Sequence, residues 1–235
     1  MSGRAIALLL LAALSAGAEG DRQPGSAWID RLEPFGAARG ETIEIVAVGE
    51  DLRGRVRVAA NAPLGLHRVA LRGPRGPSNS RLLSIDALPS THEIEPNDRR
   101  ESAQPIELKP QALHGALPAM PDRDWYRFET RAGERWAFDL RSLEYGGFLE
   151  SELALYDAGG KRVAFNDDRD DYIETPTLDH RFERAGVHYL LVDQYRGPQR
   201  VNCNRNCGYI LRISQTPWME AAFPLGLRRG RTTRV

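Results

Sequence analysis

Oxygen-bearing side chains crowd two short stretches of this chain. The first is Glu93-Ile94-Glu95-Pro96-Asn97-Asp98 and the second is Asp122-Arg123-Asp124. In an extended backbone alternate residues share a face, roughly 6–7 Å apart. Glu93, Glu95 and Asn97 therefore present oxygen ligands on one side, Asp98 adds another, and Asp122 and Asp124 repeat the alternation. Calcium takes about six to eight oxygens and needs several carboxylates to offset its charge. These residues suffice for such a cage if the two stretches meet. The alternative is a solvated linker whose Asn and Asp cap a turn. A third run, Asn166-Asp167-Asp168-Arg169-Asp170-Asp171, is denser still. It lacks the Gly and the distal Glu of an EF-hand loop, so it reads as a structural turn, with metal binding as the alternative.

Nothing points to a catalytic centre. The histidines are His67, His92, His114, His180 and His188. His92-Glu93 is followed by Ile94, Glu95 and Pro96, which is not the His-Glu-x-x-His metalloprotease pattern, and neither a Gly-x-Ser-x-Gly elbow nor a Gly-rich phosphate loop occurs. The catalytic set is therefore read as none. Acidic and basic residues balance at 32 each, so no global field favours nucleic acid. Aromatic residues outside the core pattern are the clue to ligands. Trp125 alternates with Tyr126 and Phe128 and is expected to face outward, while Tyr145, Tyr172 and Tyr195 sit in or beside loops. Such rings suit protein and sugar surfaces alike, and they equally suit packing against a neighbouring domain.

The elements that must position these residues are strands. Period-two alternation bounded by Gly, Pro and Asn recurs along the chain, and helix-period stretches are almost absent. Expected strands lie near 112–117, 124–130, 134–142, 151–157, 161–166, 177–183, 187–194 and 208–214, with a helical turn near Arg99 to Ala103. A smaller β unit spans 28–88, built on Glu41 to Val48, Arg55 to Val58, His67 to Leu71 and Arg81 to Ile85, with turns at Ala62-Pro63-Leu64-Gly65 and Gly73-Pro74-Arg75-Gly76-Pro77. Residues 87–92 read as a linker. The expected fold class is all-β: a small immunoglobulin-like unit, near the lower size limit for independent folding, then a jelly-roll-like sandwich over 93–214.

The order of pieces from Glu93-Ile94-Glu95-Pro96-Asn97-Asp98 through Asp124-Trp125-Tyr126, Ala132-Gly133-Glu134, Leu153-Ala154-Leu155-Tyr156-Asp157, Asn166-Asp167-Asp168 and Ala185-Gly186-Val187-His188-Tyr189 to Gly208-Tyr209-Ile210-Leu211 resembles the bacterial pre-peptidase C-terminal domain. Arg39-Gly40-Glu41-Thr42, Ala62 to Arg68 and Pro77-Ser78-Asn79 resemble the immunoglobulin-like domains that precede that module. The resemblance implies a secreted module that binds or stabilises rather than catalyses. In calcium-binding collagenase relatives the two acidic stretches meet at one calcium site, which implicates Glu93, Glu95, Asn97, Asp98 and Asp124. Asp122 is one position off that pattern, where Pro121 stands.

Met1 to Ala18 reads as a secretory signal peptide: Arg4 supplies the positive charge, Ala5 to Leu14 is too short to span a bilayer, and Ala16-Gly17-Ala18 is a small-x-small cleavage site. An uncleaved anchor is the alternative. Export, to the periplasm, the cell surface or the medium, makes a Cys203–Cys207 disulfide the expected state of the two cysteines, a metal pair being the alternative. Residues 221–235 repeat the start of the first unit: Pro224, Gly226, Arg229, Gly230 and Thr232 align without gaps on Pro34, Gly36, Arg39, Gly40 and Thr42, which implies a second, truncated repeat. The expectation is a non-catalytic accessory module with calcium as its ion and an extracellular protein or polysaccharide as its partner. The alternatives are the non-catalytic front of a secreted hydrolase and a structural repeat of a cell-surface protein.

Overall fold

The computed structural model describes residues 27–48, 52–73, 76–118, 122–142, 149–168, 175–195 and 207–216, together with 6–7, 230 and 232. The signal-peptide and tail-repeat readings therefore fall almost wholly outside the described residues. Among the described residues the regular structure is all-β, apart from one 3₁₀ turn at Arg100–Ser102, and no helix is long and apolar enough to cross a membrane.

Alternation along each strand dictates the larger unit. Asp124–Thr130 buries Tyr126 and Phe128 on one face and leaves Trp125, Arg127 and Glu129 more open on the other. It pairs antiparallel with Gly186–Gln194, setting Trp125 opposite Leu191 and Asp124 opposite Val192. Gly186–Gln194 pairs in turn with Ser151–Asp157, and that strand with Arg162–Asn166. Gln104–Pro105 completes this five-stranded sheet beside Asp124–Thr130. The second sheet runs in the order Ser90–His92, Gln111–Ala116, Gly208–Ser214, Arg135–Arg141 and Thr177–Arg181. The two inner faces form one core, in which Tyr126, Phe128, Leu153, Leu155, Leu190 and Val192 meet Leu113, Phe138, Leu140, Tyr209, Leu211 and Ile213. Burying each such apolar side chain contributes about 1.5–3 kcal/mol.

The smaller unit carries a four-stranded and a three-stranded sheet, with a short two-stranded pair at Arg72–Gly73 and Gly76–Pro77, around its own core of Ile29, Leu32, Ile45, Val58, Leu83 and Ile85 with their neighbours. Thr42–Val48 is the clearest amphipathic strand, with Ile43, Ile45 and Ala47 buried and Thr42 and Glu44 exposed. It pairs on one side with Arg31–Glu33 and on the other with Leu52–Arg57.

The segment expected to be a linker is structured. Ser90–His92 is a strand and pairs parallel with Gln111–Ala116, His92 standing opposite His114. Three residues are too few for a period to show in sequence; what holds them is tertiary. The Thr91 hydroxyl donates to Gln111 Oε1 at 2.9 Å. The Ser90 hydroxyl donates to Glu41 Oε2 at 2.7 Å and accepts from the Ala38 amide at 3.1 Å. Burial pushes the Glu41 carboxyl up, but that hydroxyl and the Ala38 and Ser90 amides outweigh it and hold the group below the usual range.

The same junction is packed and ion-paired. The Phe35 ring lies over Gly208 so closely that a Cβ there would sit 1.5 Å from it, and Phe35 packs with Ala112 and Ile210 on the outer face of the second sheet. Arg212 Nε lies 2.7 Å from Asp86 Oδ2. His114 is buried at this seam, stacked on His92 with ring centroids 5.4 Å apart. Burial, with His92 beside it, pushes its pKa down to about 3, so it is neutral in the folded protein.

Candidate metal centre

The two acidic stretches converge. One carboxylate oxygen from each of Glu93, Glu95 and Asp124 lies within 4.8 Å of the others. Glu93 and Glu95 arrive on one stretch and Asp124 on the other. Glu93 follows the Ser90–His92 strand, and its amide donates to His114 O at 2.9 Å. Its carboxylate accepts from the Ala116 amide at 2.9 and 3.0 Å. Gly115 makes room for it, since a Cβ there would meet Glu93 Oε2 at 2.6 Å and the Tyr209 ring at 2.4 Å. The bend between them is pinned by Gln104, which accepts from the Ile94 amide at 2.7 Å and donates to His92 O at 3.0 Å. The Glu95–Pro96 bond is cis, and Glu95 Oε2 accepts from the Asn97 amide at 2.8 Å. The Trp125 amide then donates to Asn97 O at 3.0 Å, fastening the stretch to the start of the Asp124–Thr130 strand.

Asp124 is fully buried. Its Oδ2 accepts from the Tyr209 hydroxyl, and that hydroxyl lies 2.5 Å from the Tyr126 hydroxyl. The Asn97 side chain is equally buried, and one of its terminal atoms stands 3.1 Å from Asp124 Oδ1 and 3.0 Å from Glu95 Oε2. If that atom is nitrogen, it donates two hydrogen bonds. If it is oxygen, three acceptors converge, an arrangement that needs a proton or a cation between them. Asp122 stands beside Asp98, and among the described residues its Oδ1 is buried without a hydrogen-bond partner.

Without a cation this crowding is costly. Burial pushes Glu93 up to about 7, with Glu95 and Asp122 adding repulsion against the bonds from Ala116 and Asp124. Burial likewise lifts Asp122 to about 7, together with Asp98 and Glu95. Asp124 is raised well above the carboxylate range by burial and by Glu93. Several anionic oxygens, one orphaned buried oxygen and a buried amide are a hard-oxygen donor set of the kind that fits calcium. Of the residues singled out in the sequence, Glu93, Glu95, Asn97, Asp122 and Asp124 lie together, with Asp98 exposed at the rim next to Asp122.

Comparison with known proteins adds the following. No family model matches the sequence. A probable subtilase-type serine protease of Deinococcus radiodurans is 37% identical over 100 residues, 42% of this chain. The match spans 14% of that protease's length. The pre-peptidase C-terminal domain of the collagenase from Bacillus anthracis is 20% identical, covering 50% of this chain and 100% of that domain, with a TM-score of 0.38. The chain is similar to a pre-peptidase C-terminal domain.

Several members of this site have no local signature in the sequence. Tyr209, Tyr126, Gln104 and the Ala116 amide all touch it, and none carries a local signal: Tyr209 reads as one more core residue of an alternating strand. Of the aromatic residues proposed to meet a ligand, Trp125 is half-buried on the outer sheet face against Tyr156, ring centroids 5.2 Å apart. Tyr195 is half-buried at the end of the Gly186–Gln194 strand, its amide donating to Glu150 O at 2.8 Å. Tyr145 and Tyr172 lie outside the described residues. Cys203 does too, whereas Cys207 is buried in the core. The Asn166 side chain holds a turn, accepting from the Thr177 amide at 2.9 Å and donating to Asp168 O at 2.8 Å.

Proposed function

We propose that this chain is a non-catalytic accessory module of an exported, peptidase-like protein, and that calcium at Glu93, Glu95, Asn97, Asp98, Asp122 and Asp124 locks it. The observation that carries the reading is the convergence of Glu93, Glu95 and Asp124 beside the unpartnered oxygen of Asp122. The likeness to part of a probable subtilase-type protease supports an accessory place beside a peptidase. Calcium would supply charge neutralisation and nothing chemical. Glu93, Glu95 and Asp124 would balance it, Asn97 would turn its carbonyl inward, and Tyr209 would keep its hydrogen bond to the far oxygen of Asp124. Because Glu93 directly follows the strand that docks on Glu41, closing the site also steadies the junction between the units. Export makes Cys203–Cys207 a disulfide.

Calcium titration with a melting readout tests this. Binding to the folded state alone stabilises by about 2.7 kcal/mol at a hundredfold excess over Kd, which corresponds to roughly 5–10 °C in Tm for a chain of this size. The purified protein should cleave neither casein nor gelatin, and mass spectrometry should find no free thiol. An unchanged Tm in millimolar calcium would sink the metal reading. Turnover abolished by a single His or Ser substitution would sink the non-catalytic one.

A further inference from the structure

The two outer faces of the sandwich differ. One is covered by the first unit, through Phe35 on Ala112 and Ile210 and Asp86 on Arg212. The other belongs to the sheet containing Asp124–Thr130, where the 3₁₀ turn places the Arg100 guanidinium over the Tyr189 ring, 4.4 Å from its centroid, and, among the described residues, leaves the rows beyond Tyr189 without a second unit packed on them.

That open face is built from cross-strand rows. Trp125, Leu191, Ala154 and Phe165 stand in register as one row across four strands. Tyr189 and Tyr156 oppose one another in the next, with Arg162 beyond Tyr156. Ala154 is the small residue among large ones. Around it lies a depression of about 250 Å³ bordered by Tyr156, Phe165, Leu191, Glu152 and Arg162, with the Arg123–Asp193 ion pair at 3.0 Å on its rim. Phe165 is 39% exposed at its lip, with the Arg162 guanidinium 4.6 Å from its ring centroid. By alternation Tyr195 stands on this same face, and six residues separate it from Tyr189, ~20 Å at ~3.3 Å per residue.

We propose that this face binds a neutral polysaccharide, with a sugar ring seated over Ala154 and stacked on Trp125, Tyr156 or Phe165. The proposal rests on the reading of the chain as a non-catalytic accessory module, but not on its calcium. Three features select the ligand. Flat rings with wet edges match the C–H faces of pyranoses, presenting an apolar body and a polar tip. The rim supplies planar donors and acceptors in balance, with Arg123 paired to Asp193 and Arg127 standing 3.6 Å from Glu129. A polyanion would meet those carboxylates, and a polycation those guanidinium groups, whereas hydroxyls bond to both. The length of the face suits a chain of sugars rather than a single one.

Affinity gel electrophoresis of the full chain in calcium tests the idea, with amylopectin, galactomannan, xyloglucan and a β-1,3-glucan as neutral probes, and with alginate and gelatin as the anionic and protein probes. Retardation by at least one neutral glycan is expected, with the apparent Kd raised tenfold or more by Trp125→Ala and by Phe165→Ala. Phe165 is exposed enough that its variant should melt as the wild type does, separating lost binding from lost folding. Retardation by none of the neutral glycans, by gelatin or alginate alone, or unchanged in both variants overturns the proposal. Hydrolysis of the retarded glycan would instead overturn the accessory reading while leaving this face as the binding site.

Discussion

The acidic stretches that hold Glu93 and Asp124 and the denser run that begins at Asn166 have opposite fates. Around Glu93 and Asp124, carboxylates from separate strands are driven together and buried, and their protons are held far above the usual range. Around Asn166, the side chains serve their own turn: Asn166 bonds to Thr177 and Asp168, and Asp168 is exposed. The difference is long-range. Glu93 and Asp124 have the Ala116 amide and the Tyr209 hydroxyl as fixed donors from neighbouring strands, and desolvation then turns mutual repulsion into a demand for neutralisation, by a proton or a cation. A carboxylate in water makes no such demand. Charge density along a sequence therefore does not define a site; burial and convergence do.

The comparison breaks most visibly at Asp124. Asp124→Asn keeps the shape and an acceptor for Tyr209 but removes the charge. Differential scanning fluorimetry at pH 7.5 should show the calcium-dependent gain of about 2.7 kcal/mol at hundredfold excess abolished, while Asp168→Asn retains all of it. Equal losses in the two variants would erase the distinction.

Metal-free stability should depend on pH at one stretch only. Glu93 has a folded-state pKa near 7, against an ordinary value of 4.5, so between those values the folded state holds more protons than the unfolded one. Stability is then full below about pH 4.5 and is lost as pH rises through 7, by on the order of 3 kcal/mol for this group. Urea melts in EDTA at pH 5 and pH 8 should show the decline, and Glu93→Gln should reduce it, Asp122 and Asp124 keeping the rest. A slope unchanged in Glu93→Gln would place the strain elsewhere.

The smallest effect belongs to the turn. Asn166→Ala removes two hydrogen bonds, each worth ~1 kcal/mol or less where water can replace them. A loss of about 1 kcal/mol, equal with and without calcium in chemical denaturation, is expected. A calcium-dependent loss would move the Asn166 turn into the same class as the Glu93 cluster.

Much of the fold was legible in the chain, for a local reason. Alternation set the strands at 111–116, 124–130, 135–141, 151–157, 162–166, 177–181, 186–194 and 208–214 within a residue or two of expectation, because a half-buried strand must alternate and Gly punctuates its ends. The turn near Arg99 appeared as the 3₁₀ segment Arg100–Ser102. The Ser90–His92 strand was not legible, since its partners are a Glu and a Gln more than a dozen residues away in either direction.

By itself the sequence determined the residue types at the candidate centre, the all-β class and the outward face of Trp125, because these depend on composition and a two-residue period. Only the tertiary structure decided that the Glu93 and Asp122 stretches meet, that Tyr209 and Gly115 complete their surroundings, and that the first unit covers one sheet face and not the other. Those outcomes follow from strand order and from what each burial excludes from water, and neither is encoded in the spacing of neighbouring residues.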